Sequence, residues 1–361
     1  MRRRQFGSIR KLPSGSYQVA YWLEGKRQIG PKTFSTKADA SAYLATVEAD
    51  VVRGAWINPE LTETRFEVVA NQWLRSNSSK RESSIARDVG ILNNHVLPVL
   101  GHRAIGSIRP AVIQSLVDSW TSTYSANSVN RHYATVRSVF SYAEAAELIV
   151  RTPCRGIRLP RIRQVERPVL SSEELEALSE ALGPINNLFM WCGALLGLRW
   201  SEIAGLTRDR IDLDSETLSV DRQLRRDGTL GAPKSDAGTR MLVCPKWMIE
   251  EFREVFDLLD KGDAELIFTT DLGTPLNYTN WRQRMWLPAC EEAGLPGLRF
   301  HDLRAMAATA LVASGTDVKT AQTRLGHSSS RMTLDIYARA TQAADRKAAQ
   351  DVSEFLRPGR N

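Results

Sequence analysis

The stretch His301-Asp302-Leu303-Arg304 leads directly into a small apolar run, Ala305 to Ala313. A run of that length behind a charged start predicts a helix, and on a helix His301 and Arg304, three residues apart, share a face. Upstream, Ala194 to Leu206 is an apolar stretch interrupted by Arg199 and Glu202. An arginine between Leu198 and Trp200 needs an anionic partner if it is buried. Glu202, one helical turn on, either serves as that partner or aims Arg199 at a bound phosphate. Downstream come Leu325-Gly326-His327-Ser328-Ser329 and, ten residues after His327, Tyr337. Taken singly, each fragment is ordinary: a histidine near a helix start is usually structural, and a lone tyrosine is usually core or surface.

Three compositional regions and a linker surround these fragments. Residues 1–58 hold strand patterns over Gly7 to Leu12, Tyr17 to Leu23 and Arg27 to Phe34, with a turn at Glu24-Gly25-Lys26. Ser35 or Thr36 then caps a helix whose apolar face carries Ala40, Tyr43, Leu44 and Val47 and which ends at Gly54. Residues 62–150 read as all helical. The expected helices cover Phe66 to Leu74, Ser84 to Val96 (stopping before Pro98), a segment opened by Pro110, and Ser125 to Ala146. Asn127, Asn130, Arg131 and Arg137 line the polar face of the last, where they either touch a phosphate backbone or solvate the helix. Residues 151–167 form a linker; its stretch 151–163 has two prolines, one glycine and five arginines, which predicts an extended basic strap. Residues 168–361 open on the capping signature Ser171-Ser172-Glu173-Glu174 and are mainly helical. Strand-like stretches interrupt them at Thr217 to Val220 and Met241 to Val243. A final helix is expected over Thr341 to Leu356.

Taken in order, Arg199, His301-x-x-Arg304, Gly326-His327 and Tyr337 resemble the signature of the tyrosine recombinase (phage integrase) family. Leu325-Gly326-His327-Ser328-Ser329 and Thr333-Leu334-Asp335-Ile336-Tyr337 resemble actinobacterial phage and prophage integrases in particular. The resemblance extends to His95-Val96-Leu97-Pro98-Val99-Leu100-Gly101 and covers nearly the whole chain. It implies a multidomain fold: a small α+β arm-type DNA-binding module of three strands and a helix (1–58), an all-α core-binding domain (62–150), the basic linker (151–167), and a mainly-α catalytic domain with a small β-sheet and a C-terminal tail helix (168–361). By the same resemblance Arg199 and Arg304 are the catalytic arginines, His301 and His327 the catalytic histidines, Tyr337 the nucleophile, and Glu202 a supporting acid. The family's lysine lies in a hairpin between the two arginine boxes, and Lys234 in Pro233 to Arg240 fits that place. Ala305-Met306 stands where the family often has His-Thr, which implies altered helix packing only.

The chemistry accounts for these residue types. Two guanidiniums clamp the non-bridging oxygens of a phosphodiester as charge grows there, and a lysine is a poorer bidentate clamp. Such transesterification conserves bond energy, so neither metal nor cofactor is implied. No GxxxxGK[ST] loop or HExxH pair is present.

Charge agrees with a nucleic-acid partner. The first 160 residues hold 22 Lys and Arg against 12 Asp and Glu, and the remainder 26 against 29. Arg131, Arg137, Arg155, Arg158, Arg161 and Arg163 are the candidate DNA contacts. The expected partners are double-stranded DNA at core and arm attachment sites, three further copies of the chain in a tetramer, a DNA-bending host factor and an excision factor. No apolar run reaches bilayer length and no secretory signal follows the basic Met1 to Arg4, so the expected location is the bacterial cytoplasm, at the nucleoid. Cys154, Cys192, Cys244 and Cys290 are widely spaced, which predicts buried free thiols. Two alternatives stay open: a chromosome-dimer resolvase, whose relatives normally lack a module like residues 1–58, and a DNA-binding relative without catalysis.

Overall fold

The computed structural model describes residues 6–23, 25–54, 56–76, 80–162, 169–233, 235–259 and 265–327, with isolated positions at 329, 334, 349, 352, 353 and 356. Lys234, Arg163, Tyr337 and, apart from those isolated positions, the expected tail helix over Thr341 to Leu356 lie outside the described residues. The chain forms two compact units, Met1–Gln164 and Val165–Asn361.

In the first unit, β1 (Ser8–Lys11), β2 (Tyr17–Leu23) and β3 (Lys26–Ile29) make an antiparallel sheet in the order β1-β2-β3. Val19 and Tyr21, two apart on β2, share a face. They pack with Phe34 and with Ala40, Leu44 and Val47 of α1 (Lys37–Val52), which Thr36 caps. The third strand is shorter than its sequence pattern: it stops at Ile29, ahead of Gly30-Pro31, and Phe34 rejoins the sheet through a bridge to Tyr17. The register opposes Arg10 to Gln18 and Trp22 to Arg27. The face away from α1 therefore carries two arginines and a tryptophan that is 64% exposed.

The rest of this unit is helical: α2 (Pro59–Thr62), α3 (Phe66–Ser76), α4 (Glu82–Ile91), α5 (Leu97–Leu100), α6 (Pro110–Thr121) and α7 (Ala126–Ala145). Phe66, Trp73, Leu92, Leu100, Ile113, Trp120, Val136 and Phe140 belong to its core. The helix expected to stop before Pro98 does not stop. A π-turn at Leu92–Val96 widens the ladder, so that Leu97 N–H reaches back to Leu92 O and α5 continues with Pro98 in its first turn. The second unit repeats the device at Trp286-Leu287-Pro288.

His132 on α7 is buried and stacks on His95 of the π-turn, with centroids 4.2 Å apart, while Trp120 and Tyr124 meet its ring edge-on. Its Nδ1 has no hydrogen-bond partner among the described residues. Burial, then the neighbouring His95 and Arg131, lower its pKa below the ordinary histidine value. Protonation is thus easier in the unfolded chain. This contribution to stability is complete above the ordinary value and is lost as pH falls from there through the lowered folded value. Melting temperature measured against pH is expected to drop on the acid side of about 6.5, and His132→Phe to flatten that slope.

The segment after α7 is more firmly held than a free strap. Arg158 exchanges two hydrogen bonds with the Gln114 side chain, its N–H to Oε1 at 2.8 Å and Nε2 to its carbonyl at 3.2 Å. Asn130 Nδ2 donates to Pro160 O and Tyr133 Oη to Cys154 O. Cys154, Ile157 and Leu159 pack against the helical core. Residues through 162 therefore belong to the helical unit, and Asn130 spends its amide on backbone. Arg131, Arg137, Arg155, Arg158 and Arg161 remain exposed.

The second unit is built on α8 (Ser172–Ala194), capped by Ser171 and broken at Gly183, where φ is 70°. It packs on α12 (Leu287–Glu292) and α13 (Phe300–Ala313), with Phe189 against Trp281 and Phe300. Between them lie α9 (Trp200–Ile203), α10 (Lys246–Leu259) and α11 (Tyr278–Trp281), while α14 (Val318–Leu325) follows α13. β4 (Ile211–Asp212), β5 (Thr217–Val220) and β8 (Arg240–Val243) form one sheet, and β6 (Gln223–Leu224) and β7 (Leu230–Gly231) a separate hairpin. Both sequence-predicted strands are present and pair with each other, Leu218 opposite Leu242. All four cysteines are free; Cys192, Cys244 and Cys290 are buried, whereas Cys154 is only partly so. No helix among the described residues is long and apolar enough to cross a membrane.

Candidate active site

Each element of the second unit delivers its polar group at a chain turn. After α8 the chain reverses at Gly197 (φ 66°), which leaves its carbonyl free of the helix ladder. Arg199 precedes α9, and its own N–H is capped by the carboxylate of Glu202 at 3.1 Å. Arg304 sits in the first turns of α13, and α14 ends at Gly326 in the left-handed region (φ 59°). Glycine fits that conformation because it has no Cβ. Here a Cβ would also come within 2.8 Å of Arg240 Nη1.

These turns bring three arginines around one buried carboxylate. Arg199 Nη1 donates to Glu202 Oε1 at 2.5 Å, and Arg240 Nη2 to Glu202 Oε2 at 3.0 Å. Arg199 Nη2 continues to Gly326 O at 3.1 Å. Arg304 donates from Nη1 to Gly197 O and from Nη2 to Leu325 O. The first meaning offered for Glu202 thus holds: it is the anionic partner of Arg199.

Electrostatics record the crowding. Burial first, then Arg199 and Arg240, push Arg304 down to about 9, with Glu202 opposing them. Burial would raise Glu202, but the charges and hydrogen bonds of Arg240 and Arg199 outweigh it and hold the carboxyl below its usual range. His327, buried just past Gly326, is pushed down to about 4 by burial and then by Arg304, Arg199, Arg240 and His301. The imidazole is therefore neutral at physiological pH. Among the described residues this knot sets three guanidiniums against one carboxylate, an excess of positive charge that suits an anion.

His301 occupies the exposed side of the first turn of α13. Together with Arg199, Trp200, Ser201, Tyr278 and Phe300 it lines an open cleft of about 300 Å³. Thus Arg199 reaches both the buried knot and the cleft, and His301 and Arg304, though three apart, divide between cleft and interior. The structure brings Arg199, Glu202, Arg304 and His327 together and sets His301 beside them.

Arg240 is the member that sequence reasoning missed. In the sequence it is only the last residue of the stretch Pro233 to Arg240. Its signal is the phase of β8: Arg240 and Leu242 are buried while Met241 and Val243 are exposed. An arginine in the buried phase of a strand needs an anion, and Glu202 supplies it. The aromatic wall of the cleft, Trp200 and Tyr278, also went unread, because aromatic residues in an apolar pattern look like core.

Comparison with known proteins gives the chain its family. The Phage integrase family profile matches residues 168–344, the phage integrase N-terminal domain 5–53, and the phage integrase central domain 66–160. The putative prophage phiRv2 integrase of Mycobacterium tuberculosis is 30% identical over 98% of this chain and 96% of its own length. Among solved structures, the Tn1549 transposon integrase in complex with a circular intermediate DNA has a TM-score of 0.68 at 19% identity, covering 79% of this chain and 99% of that one. A lambda integrase tetramer bound to a Holliday junction has a TM-score of 0.59 at 17% identity, covering 91% and 97%. These two likenesses concern the fold. With a relative matched from end to end and all three profiles in sequence, the chain belongs to the phage integrase family and is a site-specific tyrosine recombinase.

Proposed function

We propose that the Arg199–Arg304 knot binds the scissile phosphate of an attachment-site DNA and that Tyr337 attacks it. The observation that carries this reading is the excess of buried guanidinium charge around Glu202, facing a cleft that ends in an imidazole. The phenol oxygen of Tyr337 bonds to phosphorus as the bond from phosphorus to the 5′-oxygen breaks. His301 takes the phenol proton, and Lys234 protonates the departing oxygen. Arg199 and Arg304 neutralise the growing charge on the non-bridging oxygens, and neutral His327 donates a hydrogen bond to one of them. The products are a 3′-phosphotyrosyl link and a free 5′-hydroxyl. Attack by the 5′-hydroxyl of another strand reverses the chemistry on a new partner.

Two duplexes exchanged in this way present four scissile phosphates, so four copies of the chain act together; the lambda tetramer fold supports that count. The exposed Arg10, Trp22 and Arg27 face of the small sheet supports an arm-site reader, since such a sheet fits a major groove. Arg131, Arg137, Arg155, Arg158 and Arg161 supply phosphate contacts for a core site, joined by Arg163, and the enzyme works at the nucleoid of a bacterial host, integrating or excising a mobile element with a DNA-bending host factor and an excision factor. The divisions at 1–58, 62–150 and 168–361 describe its working domains, each supported by a separate core, with the first part of the 151–167 linker held on the helical domain.

A core half-site nicked so that the cleaved end diffuses away tests the reaction. Wild-type protein is expected to accumulate a covalent protein–DNA adduct without added metal or nucleotide, and Tyr337→Phe to form none. Absence of the adduct from wild type, or its persistence in the variant, refutes the assignment.

A further inference from the structure

We infer that Arg240 is a positioning residue of the strand-transfer reaction: it holds one oxygen of Glu202 and so leaves the charge of Arg199 available to the scissile phosphate. This rests on the phosphate site proposed above.

The argument begins with how one carboxylate is shared. Glu202 gives Oε1 to Arg199 and Oε2 to Arg240, and both Glu202 and Arg240 have side chains only 2% exposed. Arg199, at 36%, is the partner with an open side. Oε2 also accepts the Arg199 N–H at 3.1 Å, so without Arg240 the whole carboxylate would answer to Arg199 alone, and its charge would fall on that guanidinium. That would neutralise the guanidinium meant for DNA. Arg240 prevents this by competing for the same carboxylate.

Arg240 is itself fixed from three sides. Nε donates to Arg324 O at 2.7 Å and Nη1 to Gly238 O at 2.8 Å, in addition to the Glu202 bond. One contact is on the last turn of α14, directly before the Gly326-His327 corner. Another is on the loop that follows Lys234. A single planar group thereby ties the Glu202 carboxylate to the segments bearing two other proposed catalytic residues, with each of its three nitrogens donating to a protein acceptor. Lysine cannot reproduce this fork, although it retains the charge.

The test compares cleavage of a nicked core half-site carrying an ordinary scissile phosphodiester with one carrying a neutral methylphosphonate at that position. Arg240→Met is expected to slow phosphodiester cleavage on the order of a hundredfold with core-site binding retained, and Arg240→Lys to recover part of the loss. On the methylphosphonate, which carries less charge to neutralise, the defect of both variants relative to wild type is expected to shrink. The double change Arg240→Met with Glu202→Gln is expected to cleave the phosphodiester faster than Arg240→Met alone, because the competing charge is gone. If Arg240→Met does not fold, Arg240→Lys carries the same comparison. An equal defect on both substrates overturns the inference, as does wild-type-like cleavage by Arg240→Met. A wild-type protein that forms no adduct on the phosphodiester strikes instead at the phosphate site itself.

Discussion

Arg304→Lys is expected to lower the rate of strand cleavage by roughly a thousandfold while leaving core-site DNA binding nearly unchanged. The guanidinium of Arg304 holds two backbone carbonyls at once, Gly197 O at the end of α8 and Leu325 O at the end of α14. An ammonium makes point contacts and cannot span both while presenting a third edge to a phosphate. Its protonation is also less secure. The surroundings bring the Arg304 guanidinium down to about 9. A lysine starts lower, at about 10.4, so the same burial and the same neighbouring cations push it toward neutrality. The residual activity of the variant should therefore fall as pH rises through the neutral range, in single-turnover cleavage assays where wild type shows no such fall from this residue. A loss smaller than tenfold would remove Arg304 from the reaction.

Glu202→Ala is expected to cost stability as well as activity. Its carboxylate is the shared counter-charge of Arg199 and Arg240, and removing one partner of a buried pair costs roughly 3–5 kcal/mol because the other charge stays buried. Here two guanidiniums lose their partner, and Arg304 loses the anion that opposes its deprotonation. The loss should appear as a lower urea midpoint of the full-length chain. Since Glu202 is held ionised, below its usual carboxyl range, the sign of its pH effect is fixed. Stability from this group is present above the ordinary carboxyl value and is lost as pH falls through the depressed one. Glu202→Gln should remove that acid dependence. A midpoint unchanged by Glu202→Ala would mean that the arginines find other partners and that the knot is not organised around this carboxylate.

The sequence carried the site further than it carried the packing that makes it. Arg199, His301, Arg304 and His327 were legible only as a series, through its resemblance to the phage integrase signature; singly each was ordinary. Arg240 was not, since its role follows from β8 pairing with β5, and strand phase is set by a partner 20 residues away in sequence. The proline at position 98 misled for a related reason. A missing N–H ends a regular helix, yet a π-turn just upstream absorbs it, and nothing local announces that turn. Gln114 and Asn130, polar residues on helix surfaces, bind backbone 44 and 30 residues on; a pattern that sees only periodicity reads them as solvated. The helices themselves were legible wherever a cap and an apolar stripe coincided, as at Ser125 and Ser171.

The central claim is that one phosphate is clamped by this knot and attacked by Tyr337. Peptide mass spectrometry of the adduct trapped on a nicked core half-site tests it most directly. The account predicts a single modified peptide containing Tyr337, with the DNA attached through its 3′-phosphate and the released strand ending in a 5′-hydroxyl. Attachment at any other residue, or through a 5′-phosphate, would contradict it.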